Sequence, residues 1–324
     1  MVQLELPDYF KSLGRIGVAP IIGYPGVKAL GLTSKECLLN PELHAKAALF
    51  NVNRFRPDVV LPLLDLTIEA EALGAKVAFE GVEAPSICSK TLLEDAADAP
   101  AVEPPRERLM TRAAGKIFQR TRGLPGGFFV TGPFTMAGQV VGIETLLRGA
   151  LKGQPELLRL LDHCTEVVTT YAKALEGAGA DFLVIADPSS SLISAALFQR
   201  LCKSSISKVR SCVSVGVVLH ICGRSGHLLR HMAETGVAGI SLDENVKLAD
   251  ALVSIPDSLL VFGNYSPTDL ISETPAEVAF NVRAMLDQAK GHSNFVASTG
   301  CDIPPASPIE NIEAFVKAAK SFGA

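Results

Sequence analysis

The chain has 324 residues, enough for two average domains of about 150 residues or for one large barrel. A make-up of 48% hydrophobic and 20% charged residues, with 27 glycines and 20 prolines, is ordinary globular usage and excludes a long disordered or collagen-like region. With 30 Lys and Arg against 34 Asp and Glu the net charge is -4, which supplies no basic field for a nucleic acid or an anionic membrane surface.

Met1 to Asp8 show no basic stretch followed by an apolar one, and no apolar run approaches the roughly 18 residues of a membrane span. The protein is therefore expected in the cytoplasm, away from the membrane, and the mean hydropathy of +0.29 is read as a well-filled interior. Along the chain, eight short apolar runs alternate with helix-length amphipathic segments, the pattern of βα units. The runs are Gly17 to Ile22, Asp58 to Leu64, Phe128 to Gly132, Asp181 to Ala186, Ser214 to Ile221, Gly239 to Asp243, Leu259 to Asn264 and Asn294 to Thr299. Helices are predicted over Pro41 to Phe55, Arg106 to Thr121, Pro155 to Gly177, Gly226 to Thr235, Pro275 to Lys290 and Pro308 to Phe322. Several open with a proline, whose missing N–H is harmless in a first turn. Lys76 to Pro105 breaks this rhythm with a strand-like Lys76-Val77-Ala78-Phe79 and a proline-bearing loop, and reads as an insertion. The expectation is an α/β fold, a single-domain (β/α)8 TIM barrel over residues 1–324, with a doubly wound open sheet as the competing arrangement.

Barrel enzymes carry their reactive groups where strands end. Polar residues gather at these ends: Asp65, Thr135, Asp187, His220 with Cys222, Asp243, Asn264 and Cys301. Any one of them also suits a helix cap, but their recurrence points to a shared mouth. The most informative is Leu219-His220-Ile221-Cys222-Gly223, where alternation sends the His and Cys side chains to one face of a strand. An imidazole nitrogen and a thiolate suit Zn2+, and Cys301, 79 positions after Cys222, is the best third donor. Three protein ligands leave one position open, as in catalytic zinc, and a substrate thiol there would lose its proton and become nucleophilic. The alternative is packing, since free Cys is among the most buried residue types.

Cys37, Cys164 and Cys202 fall in helix-like segments, Cys88 in the insertion and Cys212 before a strand, where core or incidental thiols are expected. The seven cysteines are unevenly spaced, which in a cytosolic chain disfavours a disulfide framework. His227 and His231 are four apart, read as a solvated helix face, and His44, His163 and His292 show no partner. Asp65 is read as a cap or a mouth residue, and Asp187-Pro188-Ser189-Ser190-Ser191 as a cap or a polar-ligand loop. Glu69 and Glu71, two apart on a predicted helix, do not form an evident carboxylate pair. Neither a dinucleotide fingerprint nor a Walker sequence is present.

Asp65-Leu66-Thr67 with Glu69-Ala70-Glu71-Ala72, Thr131-Gly132-Pro133-Phe134-Thr135, Asp187-Pro188, His220-Ile221-Cys222-Gly223, Gly263-Asn264 and Gly300-Cys301 together resemble the uroporphyrinogen decarboxylase-like superfamily. More narrowly they resemble its zinc-dependent methylcobamide:coenzyme M methyltransferases, over essentially the whole chain. The resemblance implies a (β/α)8 barrel that moves a methyl group from a methylated corrinoid (cobalamin), carried by a partner protein, to a zinc-bound small thiol. It gives His220, Cys222 and Cys301 the ligand roles; Asp65, Asp187 and Asn264, from their places at strand ends, are read as catalytic mouth residues. A uroporphyrinogen decarboxylase is the rival, but the opening strand Gly17 to Gly23 lacks the Arg-containing motif of that branch. Two further alternatives are a corrinoid methyltransferase that demethylates an amine, ether or sulfide, and a non-catalytic binding barrel. The chain departs from the methyltransferases at Gly223-Arg224-Ser225, where Arg224 either pairs with a sulfonate or carboxylate on the thiol or is a solvated loop residue. That departure leaves coenzyme M, homocysteine or another small thiol open.

Overall fold

The computed structural model describes residues 5–100 and 102–322. Nine strands form among them: β1 (Gly17–Val18), β2 (Val77–Ala78), β3 (Ser86–Ile87), β4 (Gly127–Thr131), β5 (Phe182–Ala186), β6 (Gly216–Ile221), β7 (Gly239–Leu242), β8 (Leu260–Tyr265) and β9 (Phe295–Thr299). Seven of them make one curled sheet in the order β1-β9-β8-β7-β6-β5-β4, with every pairing parallel. Parallel neighbours need crossovers of a dozen residues or more, and helices such as Pro155–Gly177 and Pro275–Gln288 supply them. The predicted helices over Pro41–Phe55 and Pro155–Gly177 form with those bounds. The first starts where Asn40 accepts from the backbone N–H groups of Glu42 and Leu43 with proline in the first turn, and stops at Arg56 in the left-handed region.

The second predicted run departs from expectation. Asp58–Leu64 is tied to both sheet edges, Asp58 N–H donating to Val18 O (2.8 Å), and Val60 N–H to Pro125 O (2.9 Å) while Gly127 N–H donates to Val60 O (2.8 Å). Beyond the isolated bridge between Val60 and Gly126 no ladder continues. Pro62 has no N–H to offer at the next position, so the segment runs on as extended chain. Pro20 shortens β1 in the same way, and Ile21 N–H donates to the Thr299 hydroxyl instead of a strand carbonyl. The stretch predicted as a loop-rich insertion is more ordered than expected: β2 and β3 pair antiparallel, and Leu93–Asp98 is helical. The helix expected over Gly226 to Thr235 is split into a 3-10 turn, Ser225–Leu228, and a short helix, Leu229–Ala233.

Alternation along the strands divides the interior in two. Ile21, Val59, Phe129, Val184, Val218, Phe262 and Val296 meet on the concave face. Leu6 and Phe10, from the helix Leu6–Ser12, close its lower end, with Phe10 edge-on to Phe262 at 5.7 Å. The opposite strand faces and the helices share the larger core, including Leu183, Ile185, Val217, Leu219 and Ile221. Burying one such side chain contributes about 1.5–3 kcal/mol. At the foot of the sheet, buried Asp58 accepts from both terminal nitrogens of Arg15 (2.7 Å each), from Val18 N–H (2.8 Å) and pairs with Lys320 (2.9 Å). No helix among the described residues is long and apolar enough to cross a membrane.

Candidate metal centre and the strand ends around it

The last residues of β6 present His220 inward, and the chain turns at Gly223, whose φ of +85° lies in the region that favours glycine. Cys222 stands just before that turn, and Cys301 just after β9. His220 Nε2 is 2.7 Å from Cys222 Sγ, which is 3.2 Å from Cys301 Sγ. All three donor atoms lie within 4.8 Å of one another, the one group of at least three potential ligands of this kind among the described residues. One nitrogen and two sulfurs are the soft set that zinc takes, and bond lengths of about 2.0–2.3 Å would set such atoms roughly 3.5–3.8 Å apart. The donors thus fit one ion in chemistry and converge on one point, although their separations of 2.7 and 3.2 Å are shorter than a bound ion would hold them. The hydrogen bond between the two thiols pushes Cys301 down and, with burial, Cys222 up.

The other strand ends divide into distinct arrangements. Asp65 is buried, its Oδ1 accepting from Thr67 N–H (2.8 Å) and the Thr67 hydroxyl (2.7 Å), while Oδ2 pairs with Arg106. Arg106, almost fully buried itself, also donates to Glu71 at 2.9 Å. Asp65 is thus an Asx turn with a buried ion pair. Arg106 opens a predicted helix, and nothing in its local sequence marks it as a partner. Glu69, which its spacing does not pair with Glu71, is fully buried, with Oε1 accepting from Thr131 N–H (2.6 Å) and Oε2 at 2.7 Å from the Thr131 hydroxyl. Burial pushes its carboxyl up to about 7, against the lowering effect of those two bonds.

Asp187 is buried as well, accepting from Thr135 N–H (2.7 Å) and the Ser190 hydroxyl (2.8 Å), with burial raising its pKa. Asn264 spends its amide hydrogens on the Asp243 (2.9 Å) and Val246 (2.7 Å) carbonyls. Arg224 is exposed, and its guanidinium makes no hydrogen bond or ion pair among the described residues. His227, expected on a solvated face, bridges loops through Ile193 O (2.8 Å) and Arg224 O (3.1 Å). His44 is buried and held down to about 3 by desolvation, accepting from Leu63 N–H at 3.3 Å. All seven cysteines are free.

An open cleft of about 440 Å3 reaches Cys222, lined also by Gln139, Ile143, Ser189, Ser191 and Leu192. A larger cavity of about 680 Å3, beside Arg15, Lys290 and Lys320, sits at the foot of the sheet, away from the donors. In parallel α/β sheets ligands collect at the carboxyl ends of strands, so the smaller cleft is the relevant one.

The uroporphyrinogen decarboxylase (URO-D) family model matches residues 21–322. The methylcobamide:CoM methyltransferase MtaA of Methanosarcina barkeri is 30% identical over 304 residues, covering 90% of this chain and 88% of the relative. A methylated-thiol–coenzyme M methyltransferase of Methanosarcina mazei is 29% identical, covering 80% of this chain and 71% of its own. Among solved structures, a methyltransferase from Methanosarcina mazei superposes with a TM-score of 0.90 at 28% identity, over 99% of both chains. The chain belongs to the uroporphyrinogen decarboxylase (URO-D) family and, within it, to the branch of the methylcobamide:CoM methyltransferases.

Proposed function

We propose that the protein is a methyltransferase that moves a methyl group from a methylated corrinoid, carried by a partner protein, to a small thiol. The observation that carries this reading is the convergence of His220, Cys222 and Cys301 from the ends of two non-adjacent strands, beside a cleft open to solvent. The similarity to methylcobamide:CoM methyltransferases supports the chemistry. In the same reading the sheet is a closed, single-domain (β/α)8 barrel, with Asp58–Leu64 in the place of the eighth strand, bridging β1 and β4. Seven free thiols support a reducing, cytoplasmic setting.

His220, Cys222 and Cys301 would hold Zn2+, which when bound lowers the pKa of a thiol in its open position so that sulfur is nucleophilic at neutral pH. The residues of the chain place and enclose the reactants. The cleft beside Cys222 admits the thiol, Ile143 and Leu192 forming its apolar lip and Ser189 and Ser191 its polar wall. Arg224, with a free guanidinium at the edge of the turn after Cys222, is the group to receive an anionic tail on that thiol. Asp65 and Asp187, each tied by several hydrogen bonds, shape the mouth. Sulfur forms the new bond to the methyl carbon, the carbon–cobalt pair leaves with cobalt as Co(I), and the thiol proton passes to solvent.

The test is the zinc content of the purified protein beside a Cys222→Ser/Cys301→Ser double variant, followed by thiol-dependent demethylation of methylcobalamin with coenzyme M and homocysteine. One zinc per chain, lost in the variant together with demethylation, is the expected result. A wild-type protein that takes up no zinc when supplied with it would overturn the thiol-activation reading.

A further inference from the structure

We propose that β7 splints the His-x-Cys pair, with Ser241 and Asp243 as positioning residues that set how tightly the three donors hold a metal. The proposal rests on the metal-site reading above. Its basis is register: His220 stands opposite Ser241 and Ile221 opposite Leu242, so the next residues, Cys222 and Asp243, lie just past the paired ends of β6 and β7. Ser241 on β7 and Asp243 just after it each take hold of a different part of the motif.

Ser241 Oγ lies 2.9 Å from His220 Nδ1, with both residues buried. A neutral imidazole has one N–H and one lone pair. When the Nδ1 hydrogen points to Ser241, the Nε2 lone pair faces the two sulfurs, the tautomer that a metal requires. The reverse tautomer would aim a hydrogen at the donor set. Asp243 secures the neighbouring ligand through the backbone: Oδ2 accepts from Gly223 N–H at 2.6 Å, fixing the turn that carries Cys222. Its Oδ1 accepts from Asn245 N–H (2.8 Å) and the Asn245 amide (2.6 Å), so both carboxylate oxygens are engaged in holding the two turns. Asn264 of β8 extends the splint by clamping the Asp243 and Val246 carbonyls. This gives Asn264 a positioning role.

The experiment uses the full-length, metal-free protein with zinc titrated against a chromogenic chelator. Ser241→Ala is expected to weaken zinc binding about 10- to 100-fold, as loss of an outer partner of a metal-bound His does elsewhere. Ser241→Thr, which keeps the hydroxyl, should stay near wild type. Asp243→Ala should weaken binding and Asp243→Asn, retaining one acceptor oxygen, should weaken it less. A second readout is independent of metal: 15N NMR of histidine-labelled apoprotein should show His220 protonated at Nδ1 in the wild type and redistributed in Ser241→Ala. Unchanged affinity and tautomer in Ser241→Ala would refute the role of Ser241, as would equal losses in the Ala and Thr variants, which would mark packing alone. Wild-type affinity in Asp243→Ala would refute that of Asp243. A wild type with no zinc affinity overturns the metal reading instead, and the NMR arm still decides the Ser241 contact.

Discussion

Replacing Glu69 with Gln should flatten part of the pH dependence of stability. In the unfolded chain a glutamate titrates near its ordinary value of about 4.3–4.5. In the folded protein burial raises it to about 7. The folded state therefore holds this proton more tightly, so the stabilisation from the neutral carboxyl is complete below about pH 4.5 and is lost as the pH rises through about 7. A gap of about 2.5 pH units, at roughly 1.4 kcal/mol each, is worth about 3 kcal/mol. Gln keeps an oxygen for Thr131 N–H and an N–H for the Thr131 hydroxyl, so the geometry recorded at 2.6 and 2.7 Å survives without the charge. The assay is urea unfolding of both proteins between pH 4.5 and 8.5. Asp187, raised in the same direction, is present in both and cancels in the difference. The expected result is a wild type that loses about 3 kcal/mol relative to Glu69→Gln across the window. A difference that stays flat with pH would show that Glu69 is ionised throughout, or solvated, and the burial argument would fail.

Two further variants probe the mouth. Arg106→Ala leaves Asp65 and Glu71 without their cation in a buried setting and should cost about 3–5 kcal/mol, read from the urea midpoint. A loss under 1 kcal/mol would mean that water reaches the pair. Gly132→Ala would put a Cβ 2.2 Å from the Asp187 Cβ, forcing Asp187 off Thr135; a loss of about 1–3 kcal/mol is expected, and wild-type stability would contradict the close approach.

What could be read from the sequence depended on whether the signal was local. The helices Pro41–Phe55 and Pro155–Gly177 follow from periodicity, a first-turn proline and their end signals, all within one segment. Apolar, β-branched composition predicts a full second strand and does not reveal that Pro62 halts the ladder after one bridge. The β3 strand and the Leu93–Asp98 helix were missed because they are short and lie in a stretch whose prolines spoke for a loop. Glu69 was misjudged for another reason. Its turn is a 3-10 helix, not the α-helix assumed, and its partner Thr131 is 62 residues away.

The same distinction separates the donors from their supports. His220 and Cys222 are visible in one line of sequence because alternation along a single strand puts them on one face. Cys301 is visible because it closes another strand. Ser241 and Asp243 have equally regular spacing, but that spacing, on and just past β7, acquires meaning only once β7 is known to pair with β6 in the register that sets Ser241 beside His220. Asn264 had been singled out as a strand-end residue, and only the ladder shows that its amide is already committed to two carbonyls. Sequence patterns thus expose groups that share an element, whereas the residues that orient them become legible through cross-strand pairing. In this protein β7 and β8 stand between the strands that bear the donors, so the supports lie where register determines who meets whom.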